Sequence, residues 1–184
     1  MTYADYLAAE EASETKHEFL RGEVFAMAGT TFEHALIATN IGLSLAKRIP
    51  ASCVVVGVGP RLRIEATDRA TYPDLMIVCG PREAASDDRH GTVNPTVLVE
   101  VLSDSTERDD RGEKFAHYRQ LASLREYVLV SQKEARVEVF TRDSAEAREW
   151  RFAEATAGGS VRLHSVDVTV SLEDVYRGVA FAAG

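Results

Sequence analysis

The chain has 184 residues, 45% of them hydrophobic and 27% charged, which is ordinary globular composition and enough for a single domain, residues 1-184, with its own core. A formal net charge of −8 weighs against a protein that coats nucleic acid through a broad basic face. No apolar stretch approaches the roughly 20 residues of a membrane helix, and Met1 is followed at once by polar and acidic residues instead of a signal peptide; no membrane partner and a cytoplasmic location are expected.

Residues 2–11 read as a short helix, with Thr2 and Asp5 spaced as a capping box and Tyr3, Tyr6 and Leu7 on one apolar side. Residues 17–27 alternate around Arg21-Gly22, which predicts a hairpin with Gly22 at positive φ. On it Glu18 and Glu23 face either a site or water. Gly29-Thr30, with Glu33 three residues after Thr30, marks the start of a helix whose stripe is Phe32, Leu36, Ile37, Ile41 and Leu45 and whose end is set by Pro50. His34 lies near that start, where the helix dipole favours a neutral ring, suited to an auxiliary site role or to plain structural hydrogen bonding.

Residues 53–58 are a β-branched run, and Leu62 and Ile64 then alternate with Arg61, Arg63 and Glu65. Arg61, Arg63 and Arg69, with Lys47-Arg48, form a basic set that either holds phosphates or solvates a helix end and a hairpin. Cys53 and Cys79 fall in predicted strands and make no Cys-x-x-Cys pattern, which reads as two small core residues, not a zinc site or a disulfide. Tyr72-Pro73-Asp74 opens the apolar run 75–79, with proline at a strand start. Residues 81–95 have no periodicity and are expected to be a long loop, with His90 a minor candidate.

Residues 96–103 are apolar and β-branched, a strand buried on both faces with Glu100 in its middle. A carboxylate taken from water costs several kcal/mol unless it is paired, so the chain has to supply a partner. Asp74 is one candidate. The other is Lys114, on a predicted helix over 105–121 capped by Ser105 or Thr106, where Lys114, His117, Tyr118 and Leu121 share a face. Four short strands, 126–131, 136–141, 149–155 and 161–166, then suggest an antiparallel meander, and Ser171-Leu172-Glu173-Asp174 opens a last helical turn. The expected fold class is α/β to α+β: a mixed sheet flanked by the helices around 31–49 and 105–121, with a C-terminal antiparallel β-meander.

Two carboxylates and a lysine at one point are an apparatus for phosphodiester hydrolysis. The acids hold a hard, oxygen-seeking Mg²⁺ or Mn²⁺, and the lysine orients a water or stabilises developing charge. Tyr72-Pro73-Asp74, then Val99-Glu100-Val101-Leu102-Ser103-Asp104-Ser105-Thr106, then Asp110-Arg111-Gly112-Glu113-Lys114-Phe115-Ala116-His117-Tyr118 resembles the Uma-type family of restriction endonucleases, within the PD-(D/E)XK nuclease superfamily. The resemblance spans nearly the whole chain: Lys16-His17-Glu18-Phe19 with Arg21-Gly22-Glu23-Val24 is similar to the family's N-terminal hairpin, Ala28-Gly29-Thr30 to His34 to its first core helix, and Arg125-Glu126-Tyr127-Val128-Leu129-Val130 to the strand after the lysine helix.

This resemblance implies a restriction-endonuclease-like fold and a Mg²⁺- or Mn²⁺-dependent endonuclease acting on DNA. Asp74 and Glu100 would be metal ligands, Lys114 the base or charge stabiliser, His34 a member of the catalytic set, and Glu18 and Tyr118 auxiliary. The superfamily's usual lysine, two residues after the strand glutamate, is here Leu102, so that role passes to Lys114 as the family pattern implies. Cutting both strands of a duplex is easiest for a two-fold homodimer. Two other readings use the same residues: a non-catalytic scaffold in which Glu100 and Lys114 form a buried ion pair, and a metal-dependent hydrolase of something other than DNA.

Overall fold

A computed structural model describes residues 1–27 and 29–181 of the chain. Helix α1 (Tyr3–Ala12) opens on the expected capping box, the Thr2 hydroxyl accepting from the Asp5 N–H and the Asp5 carboxylate from the Thr2 N–H, each at 3.1 Å. Its Tyr6 packs on Phe19 and Ala70. Phe19 lies in the hairpin of β1 (His17–Leu20) and β2 (Glu23–Ala26), whose turn puts Arg21 at φ 48° and Gly22 at φ 92°. Both turn residues are left-handed, the backbone that matches the twist of the flanking strands; only the glycine announces it in sequence. Helix α2 (Phe32–Ala46) starts one residue later than expected, because Thr31 and not Thr30 is the cap, its hydroxyl accepting from the His34 N–H at 3.2 Å. Ala28, part of the family resemblance, lies outside the described residues.

Beyond α2 come β3 (Cys53–Val56), β4 (Leu62–Ile64), β5 (Arg69–Thr71), β6 (Leu75–Cys79), β7 (Ala84–Ala85), β8 (Asp88–Thr92), β9 (Val97–Leu102), β10 (Glu126–Ser131), β11 (Arg136–Thr141) and β12 (Arg151–Thr156). With the hairpin they form two six-stranded mixed sheets, ordered β2-β1-β5-β4-β8-β7 and β12-β11-β10-β9-β6-β3. The mixed α+β class is as expected, and the first of these sheets is an addition to it. In the second, β9 runs parallel to β10 and antiparallel to β6. Val97, Val99 and Val101 pack in one apolar layer with Ile37, Ile41 and Leu45 of α2. Leu98 and Leu102 pack in the other with Tyr118, Leu121 and Tyr127. Alternation puts Glu100 on the side of Leu98 and Leu102. Five apolar neighbours, each worth about 1.5–3 kcal/mol on burial, outweigh the several kcal/mol of one buried carboxylate. The strand therefore goes in and takes Glu100 with it.

Four expectations are corrected. Residues 81–95 are not a loop but carry β7 and β8, which add a hairpin to the first sheet with Leu62 opposite Thr92. Ion pairs hold it: Arg61 donates to Asp88 from Nε at 2.7 Å and Nη2 at 3.1 Å, and Arg63 Nη2 lies 2.8 Å from both Asp68 and Asp87. Hydrophobic periodicity cannot report a strand fastened by charge. The three arginines of the set, Arg61, Arg63 and Arg69, are therefore neither a phosphate clamp nor a solvated hairpin face, while Lys47 and Arg48 lie exposed at the C-terminal end of α2, as expected of a solvated helix end. Arg61, Arg63 and Arg69 are buried, Arg69 reaching Glu18 and Asp109 at 3.1 Å each, and Arg48 meets Asp174 at 2.9 Å.

Cys53 and Cys79 stand directly opposite across β3 and β6 and are joined by a disulfide; strand register, not sequence spacing, brings them together. The meander holds for β10, β11 and β12, but the fourth strand leaves it. β13 (Ser160–Leu163) stops early, Asp167 turns at φ 56°, and β14 (Val168–Ser171) pairs back on β13. This hairpin and the helical turn Leu172–Val175 close over the apolar layer of α2. Among the described residues no helix is long and apolar enough to cross a membrane.

Candidate active site

Asp74 ends the connection Tyr72-Pro73 and precedes β6, one step beyond the pairing of Leu75 with Val99. That register sets it across from Glu100. Its Oδ2 accepts from the Val101 N–H at 2.7 Å, its Oδ1 lies 2.9 Å from His34 Nε2, and its own N–H points to Glu100 Oε2 at 3.4 Å. A backbone donor and an imidazole thus fix the carboxylate, and each oxygen keeps a second lone pair. The cap at Thr31 aims the first turn of α2 so that His34 reaches it.

Glu100 is 4% exposed. The Tyr118 hydroxyl donates to its Oε1 at 2.7 Å, and Lys114 Nζ lies 3.6 Å from the same atom. Burial pushes the Glu100 carboxyl up to about 8; Lys114 opposes this, and the charges of Asp110 and Asp74 add to it. Burial also holds the Tyr118 phenol well above its usual range, with Glu100 and Glu18 reinforcing, so it remains a donor.

Lys114 is buried, its Nζ 3.0 Å from Asp110 Oδ1 and 3.3 Å from Glu18 Oε1. Burial alone would lower its pKa, but Glu100, Glu18 and Asp110 outweigh it and raise the group well above the usual lysine value. It is an ammonium throughout the neutral range and cannot accept a proton. The helix that carries it is irregular: an α-turn Glu107–Asp109, a π-helical segment Asp110–Lys114, then Phe115–Tyr118. A π-turn of this kind recurs at functional sites, and here it buries Asp110 and Lys114 together. Arg111 points elsewhere, with Nη2 3.2 Å from Glu138 Oε1 and Nε 2.9 Å from Glu107 Oε1.

Glu18 turns inward. It accepts from Thr71 Oγ1 at 2.5 Å and Arg69 Nη2 at 3.1 Å; against burial, which would raise it, Lys114, Thr71 and Arg69 hold its carboxyl below the usual range. Glu23 is exposed on β2. His90 stands apart, on β8, accepting from Arg89 Nε at 2.9 Å. The residue that sequence reasoning missed is Asp110; its one available signal was its position four residues before Lys114.

Asp74, Glu100, Lys114, His34 and Glu18 all line one cleft of about 1460 Å³ between α2, β2 and the Lys114 helix. Among the described residues no three His, Cys, Asp or Glu side chains are placed to form a metal cage. Mg²⁺ does not ask for one: it is commonly held by one or two carboxylates and fills its other positions with water and substrate oxygens. Three acids, Glu18, Glu100 and Asp110, crowd one lysine, Asp74 stands beside Glu100, and it is Glu100 that is raised to about 8. That excess of negative charge and the free lone pairs of Asp74 and Glu100 fit a hard divalent cation. A soft metal would want thiolates or imidazoles, and both cysteines are in the disulfide.

The two sheets, the helices beside them and the cleft at the β6–β9 junction define a nuclease-type α+β fold. It is shared with the crystal structure of "a putative nuclease belonging to DUF820" from Anabaena variabilis ATCC 29413, with a TM-score of 0.75, 16% identity, and coverage of 96% of this chain and 97% of that one. The family described as Uma2, "Putative restriction endonuclease", matches residues 3–179, and the chain belongs to that family. Two relatives from Synechocystis sp. (strain ATCC 27184 / PCC 6803 / Kazusa) cover most of it: "Uncharacterized protein slr1290", 29% identical over 96% of this chain and 92% of its own length, and "Uncharacterized protein sll1609", 31% identical over 84% and 86%.

Proposed function

We propose that the cleft hydrolyses phosphodiester bonds in DNA with Mg²⁺ or Mn²⁺ held by Asp74 and Glu100. The observation that carries this reading is the convergence of the Asp74 and Glu100 carboxylates with the Lys114 ammonium in one cleft. A bound divalent ion supplies Lewis acidity toward the phosphate and lowers the pKa of water. The rest is the protein's work. His34 and the Val101 N–H hold Asp74 in one orientation, and Tyr118 does the same for Glu100. Lys114, permanently charged, faces the substrate phosphate as a fixed cation and stabilises the charge that grows on it in the transition state. In this reading Lys114 serves as charge stabiliser and not as base.

One observation favours the scaffold reading instead: the Lys114 ammonium already has three carboxylate partners. Activity decides between them. Supercoiled plasmid and a single-stranded circular DNA are incubated with Mg²⁺ or Mn²⁺, wild type beside Asp74→Asn. We expect wild type to cut at least one of them and the variant neither. Equal cleavage by both proteins, or none by wild type, counts against the nuclease.

A further inference from the structure

We infer that the cleft takes its DNA as a single strand, with bases lying on an apolar wall and few phosphates engaged, an inference that rests on the nuclease reading above. Charge is the first ground. Eight carboxylates line the cleft against three basic side chains, Lys16, Arg69 and Lys114, and each of the three already has a partner within the protein. Arg69 is tied to Glu18 and Asp109, Lys114 to Glu18, Glu100 and Asp110, and Lys16 donates to the Gly59 carbonyl at 3.3 Å with its Nζ 4.8 Å above the Tyr72 ring. A duplex presents about one negative charge per 1.7 Å and is bound chiefly by neutralising several of them. This lining repels such a rod.

The second ground is what the cleft offers instead. Phe25 from β2, Leu43 from α2 and Val58 beyond β3 share it with the catalytic acids, and they are 48%, 51% and 64% exposed. Open apolar surface, with the Phe25 ring in it, complements base faces, which a duplex hides in its stack and a single strand displays. One strand also needs one cleft, whereas cutting both strands of a duplex is easiest for two clefts brought together by symmetry.

The test is fluorescence anisotropy with a labelled oligothymidylate of about 20 nucleotides and the matching duplex, longer than the roughly 4–16 nucleotides that one small single-strand-binding fold covers. Ca²⁺ replaces Mg²⁺ as the oxygen-seeking ion, and gels check that the DNA stays intact. We expect the single strand to bind at least about tenfold tighter than the duplex. With two phosphates engaged, its affinity should fall only about sevenfold between about 50 and 200 mM salt. Phe25→Ala should weaken it about tenfold, Phe25→Trp should restore it, and Val58→Asp, on a more exposed side chain, should weaken it independently. Duplex binding as tight or tighter, a fall of about 1000-fold over that salt range, unchanged binding by both Phe25→Ala and Val58→Asp, or no binding of either DNA overturns the inference. In the cleavage assay, equal rates on plasmid and single-stranded circle leave the nuclease standing and overturn this inference alone; cleavage of neither overturns the nuclease.

Discussion

Lys114→Met is expected to destabilise the protein by about 3–5 kcal/mol at pH 8, the cost of removing one partner from a buried ionic cluster. Methionine keeps most of the aliphatic stem but takes the cation from between Glu18, Asp110 and Glu100, which lie 3.3, 3.0 and 3.6 Å from the lost ammonium, and leaves only Arg69, 3.1 Å from Glu18, to offset them. Because the loss is charge repulsion, it should shrink as pH falls toward 5 and protons replace the missing charge, and adding Asp110→Asn should recover part of it. Urea melts of the two single variants and the double variant measure this coupling directly. Cleavage by Lys114→Met should fall at least about 100-fold with Mn²⁺ still bound. A variant as stable as wild type at pH 8 would mean that the ammonium does not neutralise these acids.

Glu100→Gln should separate activity from stability. Losing one of the two carboxylates proposed to hold the metal would remove several kcal/mol of transition-state stabilisation, so cleavage should drop at least about 1000-fold. The metal-free fold should not suffer, since Lys114 keeps its two nearer partners, Asp110 and Glu18. The pH dependence has a definite sign. The Glu100 carboxyl is raised from 4.5 to about 8 in the folded protein, so the native state holds a proton that the unfolded chain has released. Its contribution is fully present below about 4.5 and is lost as pH climbs to about 8. Wild type should therefore lose stability relative to Glu100→Gln between those limits, read as the difference in urea midpoints at pH 5 and 8. A Glu100→Gln protein clearly weaker than wild type at pH 8 would favour the scaffold, with Glu100 as an essential counter-ion.

The acids and the lysine were legible in sequence because burial made them so. Glu100 sits in an apolar run that has no business holding a charge unless the chain answers it, and the helical spacing of Lys114 with Tyr118 and Leu121 said where the answer would come from. Asp110 was invisible because its burial depends on a π-turn, which has no hydrophobic period of its own. The same blindness hid β7 and β8: their strands are pinned by Arg61 and Arg63 to Asp88 and Asp87, and charged residues read as surface until their partners are seen. Glu18 shows the converse, a hairpin acid that alternation assigned to either side and that Arg69, Thr71 and Lys114 draw inward. The disulfide depends on register between β3 and the strand that Asp74 precedes, and register is a long-range property no local pattern carries.

The claim that matters most is that Asp74 and Glu100 hold a divalent ion together, and a melting curve tests it without any substrate. With a dissociation constant of about 1 mM, about 10 mM Mg²⁺ adds about 1.4 kcal/mol, a rise of roughly 3–6 °C for a domain of this size. The account predicts that rise for wild type over a NaCl control of equal ionic strength, and none for Asp74→Asn, whose side chain is nearly isosteric. A wild-type shift no larger than the salt control, or an equal shift in Asp74→Asn, would contradict it.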